Sequence, residues 1–110
     1  MMKQSLSILF ILAILHQTNC NLGLDLAGSF SAANFQCIKN AGYSYVILRG
    51  YRSTGSLDPT ATQSLTNAKS AGLVTDMYMF PCRGKSASTQ VDEMINGING
   101  NLYGTVWIDV

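Results

Sequence analysis

The chain is poor in histidine: among its 110 residues only position 16 is one. His16 lies in an apolar N-terminal stretch with the pattern of a leader, so residues 21–110 contain no histidine. Nucleophilic sites of the Ser-His-Asp and Cys-His types, and zinc sites with histidine ligands, need an imidazole. We therefore exclude such sites from residues 21–110, and we expect neither a metal ion nor a cofactor.

Charge of either sign is also scarce, because Asp, Glu, Lys and Arg together make up 12% of the sequence. Apart from Lys3 in the leader, the basic and acidic residues are equal in number. A balanced chain lacks the basic surface with which proteins bind nucleic acid or an anionic membrane. We expect neither as a partner.

No apolar run is long enough to cross a bilayer. The longest, residues 6–15, is interrupted only by Ser7 and has about half of the roughly 20 residues that a transmembrane helix needs. Lys3 precedes it, and Thr18 and Cys20 follow at the spacing of a signal peptidase site. The pattern predicts a signal peptide over residues 1–20, a mature domain over residues 21–110, and secretion or delivery to a lysosomal or phagosomal lumen. The alternative is a membrane-spanning helix.

Cysteine is limited to three residues. Because Cys20 falls at the end of the leader, Cys37 and Cys82 remain as an even pair in the mature domain. In an oxidising compartment such a pair is most simply a disulfide, which we predict. The alternative is two free thiols.

The mature domain repeats one unit, an apolar strand followed by an amphipathic helix. Strands are predicted over residues 22–27, 45–48, 74–80 and 103–110, and helices over residues 31–41, 58–72 and 91–98. This order indicates an α/β fold with four parallel strands joined by three helices. The pattern alone leaves open whether the sheet is doubly wound or is the first half of a (β/α) barrel.

Polar side chains stand near the carboxyl ends of all four predicted strands. They are Asp25, Arg49, Tyr78 and Asp109, and Phe80 shares the face of Tyr78. In parallel α/β folds ligands bind at this edge of the sheet, so these residues are candidates for a site. The alternative is that Arg49 only neutralises Asp25 or Asp109 in an ion pair.

These segments together resemble the N-terminal half of glycoside hydrolase family 25, a family of lysozymes that cut peptidoglycan. The ordered motifs are Gly-Leu-Asp-Leu (23–26), Tyr-Val-Ile-Leu-Arg-Gly-Tyr (45–51), Met-Tyr-Met-Phe-Pro-Cys (77–82) and Val-Trp-Ile-Asp (106–109). The resemblance is nearest to the secreted, cysteine-bearing lysozyme-like proteins of amoebae and nematodes. It implies the N-terminal half of a TIM-like (β/α) barrel with a groove at the strand ends.

The resemblance also implies roles for the candidate residues. Asp25 and Asp109 match catalytic aspartates, Tyr78 matches a tyrosine that lines the sugar site, and we assign Arg49 and Phe80 to substrate binding. The implied activity is that of a muramidase, a monomer that cleaves peptidoglycan or a related glycan after N-acetylmuramic acid.

The family's Asp-x-Glu pair is represented here only by Asp109, since its glutamate would be residue 111. Two residues apart on a strand, both carboxylates would face one cleft. We therefore expect the 110 residues alone to be inactive, as part of a muramidase or, alternatively, as a secreted carbohydrate-binding module without catalytic activity.

Overall fold

The computed structural model describes residues 20–110, so the predicted signal peptide lies outside the described residues except for Cys20. The described elements follow the predicted alternation of strands and helices. They are β1 (Leu22–Leu26), α1 (Ala32–Asn40), β2 (Tyr43–Arg52), β3 (Ser56–Leu57), α2 (Ala61–Ser70), β4 (Val74–Met79), α3 (Ala87–Gly97), a 3-10 turn (Gly100–Leu102) and β5 (Val106–Ile108).

The sheet is parallel in the order β1-β2-β4-β5, and the short β3 pairs antiparallel with β2. In a doubly wound sheet an early strand is inserted between later ones, whereas here chain order and sheet order agree. The predicted α/β class, with four parallel strands and three helices, is thus confirmed. The arrangement is compatible with half of a TIM-like barrel.

Helix α1 begins where a side chain satisfies a free backbone group, whereas Thr60 before α2 and Ser86 before α3 make no side-chain cap hydrogen bond. Ser31 caps α1, because its hydroxyl accepts a hydrogen bond from the Asn34 amide at 3.1 Å and the Asn34 side chain accepts one from the Ser31 amide at 3.0 Å. The predicted Asp58-Pro59 start of α2 lies too early, since the helix begins at Ala61. Helix α3 begins at Ala87, four residues before the first apolar position of the predicted helix.

The core lies between the sheet and the helices. Val46 and Leu48 of β2 point into it, and so do Met77 and Met79 of β4. The fully buried apolar side chains from both layers include Phe35, Val46, Leu48, Leu65, Met77 and Met94. Each contributes roughly 2 kcal/mol by leaving water. Because side chains alternate along a strand, Tyr45 and Ile47 face the opposite side of the sheet.

A β-bulge at Gly50 breaks this alternation. The register between β2 and β4 shifts between Arg49 and Tyr51, and Gly50 packs so closely on Met77 that an added Cβ would overlap its side chain. Tyr51 is therefore turned to the helix side, where it is completely buried. Bulges of this kind re-aim a side chain at the end of a strand.

The re-aimed Tyr51 anchors the loop that follows β4. Its hydroxyl donates to Glu93 of α3 at 2.6 Å and accepts from Lys85 at 3.0 Å, and Lys85 also pairs with Glu93 at 2.8 Å. Glu93 is thus not the simple solvated charge that its position on a helix suggests. Burial, and then the hydrogen bond to the Glu93 carboxylate, raise the pKa of Tyr51.

The predicted disulfide is not formed, since Cys37 and Cys82 are both free thiols. Cys37 is exposed on α1, which packs against β2 and α2. Cys82 follows β4, and its backbone amide and carbonyl both bind the side chain of Gln90 on α3. The structure thus shows no bond between the two thiols, and the disulfide stays a prediction from the sequence. No helix of residues 20–110 has the length and hydropathy needed to span a membrane.

Candidate functional site

A cavity of about 410 Å³ opens on the side of the sheet that the helices leave uncovered. Its wall combines two carboxylates with aromatic and apolar side chains. The lining residues are Gly23, Leu24, Asp25, Tyr45, Ile47, Tyr78, Trp107, Ile108 and Asp109. Three of the predicted site residues, Asp25, Tyr78 and Asp109, thus lie together.

The parallel register explains why these side chains meet. Asp25 lies beside Ile47, Ile47 beside Asp76, and Tyr78 beside Trp107. Asp109 continues the β5 ladder, with its amide bonded to the Met79 carbonyl at 3.0 Å. Because side chains two apart share a face, Asp109 and Trp107 both point to the cavity.

Tyr78 is the central polar group of this surface. Burial raises the pKa of its phenol above the ordinary value; Arg49 opposes that rise, while Asp25 and Asp109 add to it. The phenol is therefore protonated at neutral pH and can donate a hydrogen bond to a ligand. Two exposed carboxylates and a neutral phenol on one wall are groups that can orient a sugar and stabilise positive charge on it.

Arg49 lies at the edge of this site and does not line the cavity. Its Nε donates to Asp58 Oδ2 at 2.8 Å, so the ion pair that was the alternative interpretation exists, but with a different partner from Asp25 or Asp109. The buried Asp58 also accepts from the Thr60 amide at 2.9 Å and hydroxyl at 2.6 Å. Burial alone would raise the pKa of Asp58, but the bonds from Thr60 and Arg49 outweigh it and lower that pKa.

Phe80 does not reach the cavity. Strand β4 ends at Met79, and the Phe80 side chain is 44% exposed. The alternation that placed Phe80 beside Tyr78 assumes a strand that continues to residue 80, whereas Pro81 follows directly.

The sequence prediction missed two members of the site. Trp107 lines the cavity and is 52% exposed, and its Nε1 donates to Asp76 Oδ2 at 2.9 Å. Asp76 Oδ1 accepts from the Thr105 amide at 2.9 Å. Strand alternation puts Trp107 on the face of Asp109 and Asp76 on the face of Tyr78, and that signal could have found the pair. Within residues 20–110 no three or more His, Cys, Asp or Glu side chains are grouped as a metal site.

Comparison with known proteins shows the family to which the chain belongs. A family profile described as lysozyme-like protein 1 matches residues 16–110. The chain belongs to the lysozyme-like proteins of glycoside hydrolase family 25. The predicted family resemblance is thereby confirmed.

Individual lysozyme-like relatives come from an amoeba and a nematode. Probable GH family 25 lysozyme 2 of Dictyostelium discoideum is 39% identical in an alignment that covers 89% of this chain and 48% of the relative. Lysozyme-like protein 5 of Caenorhabditis elegans is 39% identical in an alignment that covers 80% of this chain and 44% of the relative. Probable GH family 25 lysozyme 4 of Dictyostelium discoideum is 32% identical in an alignment that covers 99% of this chain and 53% of the relative. The chain thus spans about half the length of these relatives.

Proposed function

We propose that the cavity binds peptidoglycan or a related glycan, and that the whole protein is a muramidase that cleaves the glycosidic bond after N-acetylmuramic acid. One observation carries this proposal: Asp25 and Asp109, from the two outer parallel strands, line one cavity with Tyr78. The names of the relatives, lysozymes and lysozyme-like proteins, support the substrate class.

Cleavage of a glycosidic bond requires different groups at the leaving oxygen and at the ring carbon. The leaving oxygen needs a proton, while the ring carbon develops positive charge in an oxocarbenium-like transition state. Asp109 and Asp25 stabilise that charge, or Asp109 orients the N-acetyl group of the substrate so that its oxygen can attack. Tyr78, as a neutral phenol, donates a hydrogen bond that holds the sugar in place.

In the Asp-x-Glu pair that the family resemblance implies, the proton donor would be a glutamate at position 111, outside residues 1–110. General acid catalysis contributes roughly 10²- to 10⁴-fold to the rate. We therefore expect residues 1–110 by themselves to show no turnover, and a chain continued through the second half of the family to be active.

A second candidate is a non-catalytic glycan-binding module. The observation that favours it is the wall of the cavity, in which the half-exposed Trp107 lies beside Tyr78 and to which Tyr45 also contributes. Aromatic side chains with a few polar groups are typical of sites that bind small molecules, and such a wall can hold a glycan without cleaving it.

Hydrolysis by a chimera separates the two candidates. In this chimera, residues 21–110 are followed by the C-terminal half of the Dictyostelium discoideum probable GH family 25 lysozyme 2, and reducing ends released from insoluble peptidoglycan are measured. We expect activity that Asp109→Asn reduces by about 10²-fold or more and that Asp25→Asn reduces less. Asp92→Asn, on the exposed side of α3, is the control and should have no effect.

Two results would overturn the muramidase proposal. Full activity of the Asp109→Asn chimera would mean that other groups carry the chemistry. A chimera with a native circular dichroism spectrum that retains peptidoglycan but releases no reducing ends would favour the binding module.

We also propose that residues 1–20 direct the chain to secretion or to a lysosomal or phagosomal lumen, where it acts as a monomer. The apolar run and the small residues before Asn21 support this. N-terminal sequencing of the product from a eukaryotic secretion host should begin near Asn21, and its mass by light scattering should be that of one chain. A product that retains Met1 and sediments with membranes would contradict the proposal.

A further inference from the structure

The three aromatic side chains of the cavity differ in what they can offer a ligand. Tyr78 has a protonated hydroxyl available as a donor. Tyr45 lies with its ring against Gly23, where an added Cβ would overlap the ring, so that part of its surface is covered. Trp107 has the larger aromatic surface and is 52% exposed.

Trp107 is held in place through its only polar atom. Its Nε1 donates to Asp76 Oδ2, and Asp76 Oδ1 accepts from the amide of Thr105, each at 2.9 Å. The carboxylate of β4 thus bridges the indole and the backbone two residues before it. Because indole nitrogen is a donor only and is already bonded, Trp107 can offer a ligand nothing but its π surface.

The contact between Asp76 and Trp107 is not what joins the two strands. Backbone hydrogen bonds already link Met77 to Thr105 at 3.0 Å and Gly104 to Thr75 at 2.9 Å. Loss of the Asp76 carboxylate should therefore leave β4 and β5 paired while it releases the indole. This separates a role in orienting Trp107 from a role in holding the sheet together.

We propose that Trp107 is the platform on which one pyranose ring of the glycan stacks, and that Asp76 is the positioning residue that holds the platform. The inference rests on the proposed function, because it names how the same cavity recognises an N-acetylhexosamine chain. The C–H groups on a pyranose face are weakly positive and are attracted to the negative face of an aromatic ring. A carboxylate that accepts from the indole N–H polarises the ring further in this direction.

Ligand binding at Trp107 can be followed by tryptophan fluorescence. Trp107 is the only tryptophan of the sequence, so the intrinsic fluorescence of the chain reports this one side chain. We would titrate the mature domain, residues 21–110, with the β-1,4-linked tetramer of N-acetylglucosamine and follow tryptophan emission, with isothermal titration calorimetry in parallel. We expect saturable binding with a change in emission intensity or wavelength.

Variants then test each residue by calorimetry. Trp107→Leu should weaken binding about tenfold, the loss that corresponds to one aromatic contact. Trp107→Phe, which keeps a smaller ring, should bind with intermediate affinity. Asp76→Asn keeps the shape but has a single acceptor oxygen, so it should shift the emission of the free chain and weaken binding several-fold without loss of the far-ultraviolet circular dichroism spectrum. Asp92→Asn, exposed on α3, should match the wild type.

The outcomes of these experiments separate the roles proposed for Trp107 and Asp76 from the proposed function, which is glycan binding by the cavity. If folded Trp107→Phe and Trp107→Leu bound the tetramer as tightly as the wild type, the proposed role of Trp107 as a platform would be wrong, while the glycan site would stand. Unchanged emission and affinity in Asp76→Asn would overturn the positioning role. No binding of the tetramer by the folded wild-type chain would count against the glycan site itself, and so against both proposals.

Discussion

The guanidinium of Arg49 donates to the carboxylate of Asp58 at 2.8 Å, and this ion pair ties the carboxyl end of β2 to the turn before α2. Asp58 is buried and satisfied by Thr60 as well, whereas the Arg49 side chain is 33% exposed. A positive charge is thereby fixed near Tyr78 without neutralising Asp25 or Asp109. The two carboxylates of the cavity are left free to act on a ligand.

Substitution of Asp58 should destabilise the fold. Asp58→Ala removes the partner of Arg49 and the acceptor for two hydrogen bonds from Thr60, and we expect the free energy of unfolding to fall by about 2 kcal/mol, less than for a fully buried pair because water reaches Arg49. Urea denaturation monitored by circular dichroism measures it. Asp92→Ala, exposed on α3, should stay within about 0.5 kcal/mol of wild type, and an equal effect of both substitutions would contradict this role.

Tyr51 should make the stability of the chain sensitive to alkali. Burial and the hydrogen bond to Glu93 raise its pKa above 10.0, so the folded state favours the protonated phenol. The stabilisation is therefore complete below about pH 10 and is lost as pH rises through the folded-state pKa. Tyr51→Phe should be less stable than wild type at pH 8, and the difference between the two in urea denaturation should shrink above pH 10. A difference that is constant from pH 8 to pH 11 would exclude this linkage.

The bulge at Gly50 should not tolerate a side chain. A Cβ there would overlap Met77 in the core, so we expect Gly50→Ala to lose about 2 kcal/mol or more through overpacking. Thermal or urea unfolding measures the loss. An added Cβ at Gly100 meets nothing within 4 Å, which makes Gly100→Ala the matched control, and a Gly50→Ala variant as stable as this control would argue against the bulge.

The two thiols should be chemically distinct and both reactive. Cys37 is exposed and Cys82 is partly covered, so iodoacetamide should alkylate Cys37 faster than Cys82 in the folded chain without reductant. Peptide mass spectrometry after timed quenching gives the two rates. If neither thiol reacted until a reductant was added, the disulfide predicted from the sequence would be restored.

Local patterns predicted most of this fold because parallel strands and amphipathic helices leave strong periodic signals. Alternation of strands and helices along the chain predicted a parallel sheet, and alternation within each strand placed Asp109 on the face of Trp107. The spatial order of the strands was left open by the pattern, and only the family resemblance implied it. The bulge could not be predicted, since it depends on the contact of Gly50 with Met77, which are far apart in the chain. For the same reason the partner of Arg49 was missed: the Asp58 cap pattern predicts a helix start and carries no information about contacts across the sheet edge.

The central claim is that the protein cleaves the glycosidic bond after N-acetylmuramic acid. Analysis of the digestion products tests this claim most directly. Peptidoglycan digested by the chimera that contains residues 21–110 would be reduced with borohydride, hydrolysed and examined by mass spectrometry for the new sugar alcohol. Cleavage after N-acetylmuramic acid produces reduced muramic acid, which we predict from the wild-type chimera and not from Asp109→Asn. Reduced glucosamine in its place, or equal yields of reduced muramic acid from both proteins, would contradict the account.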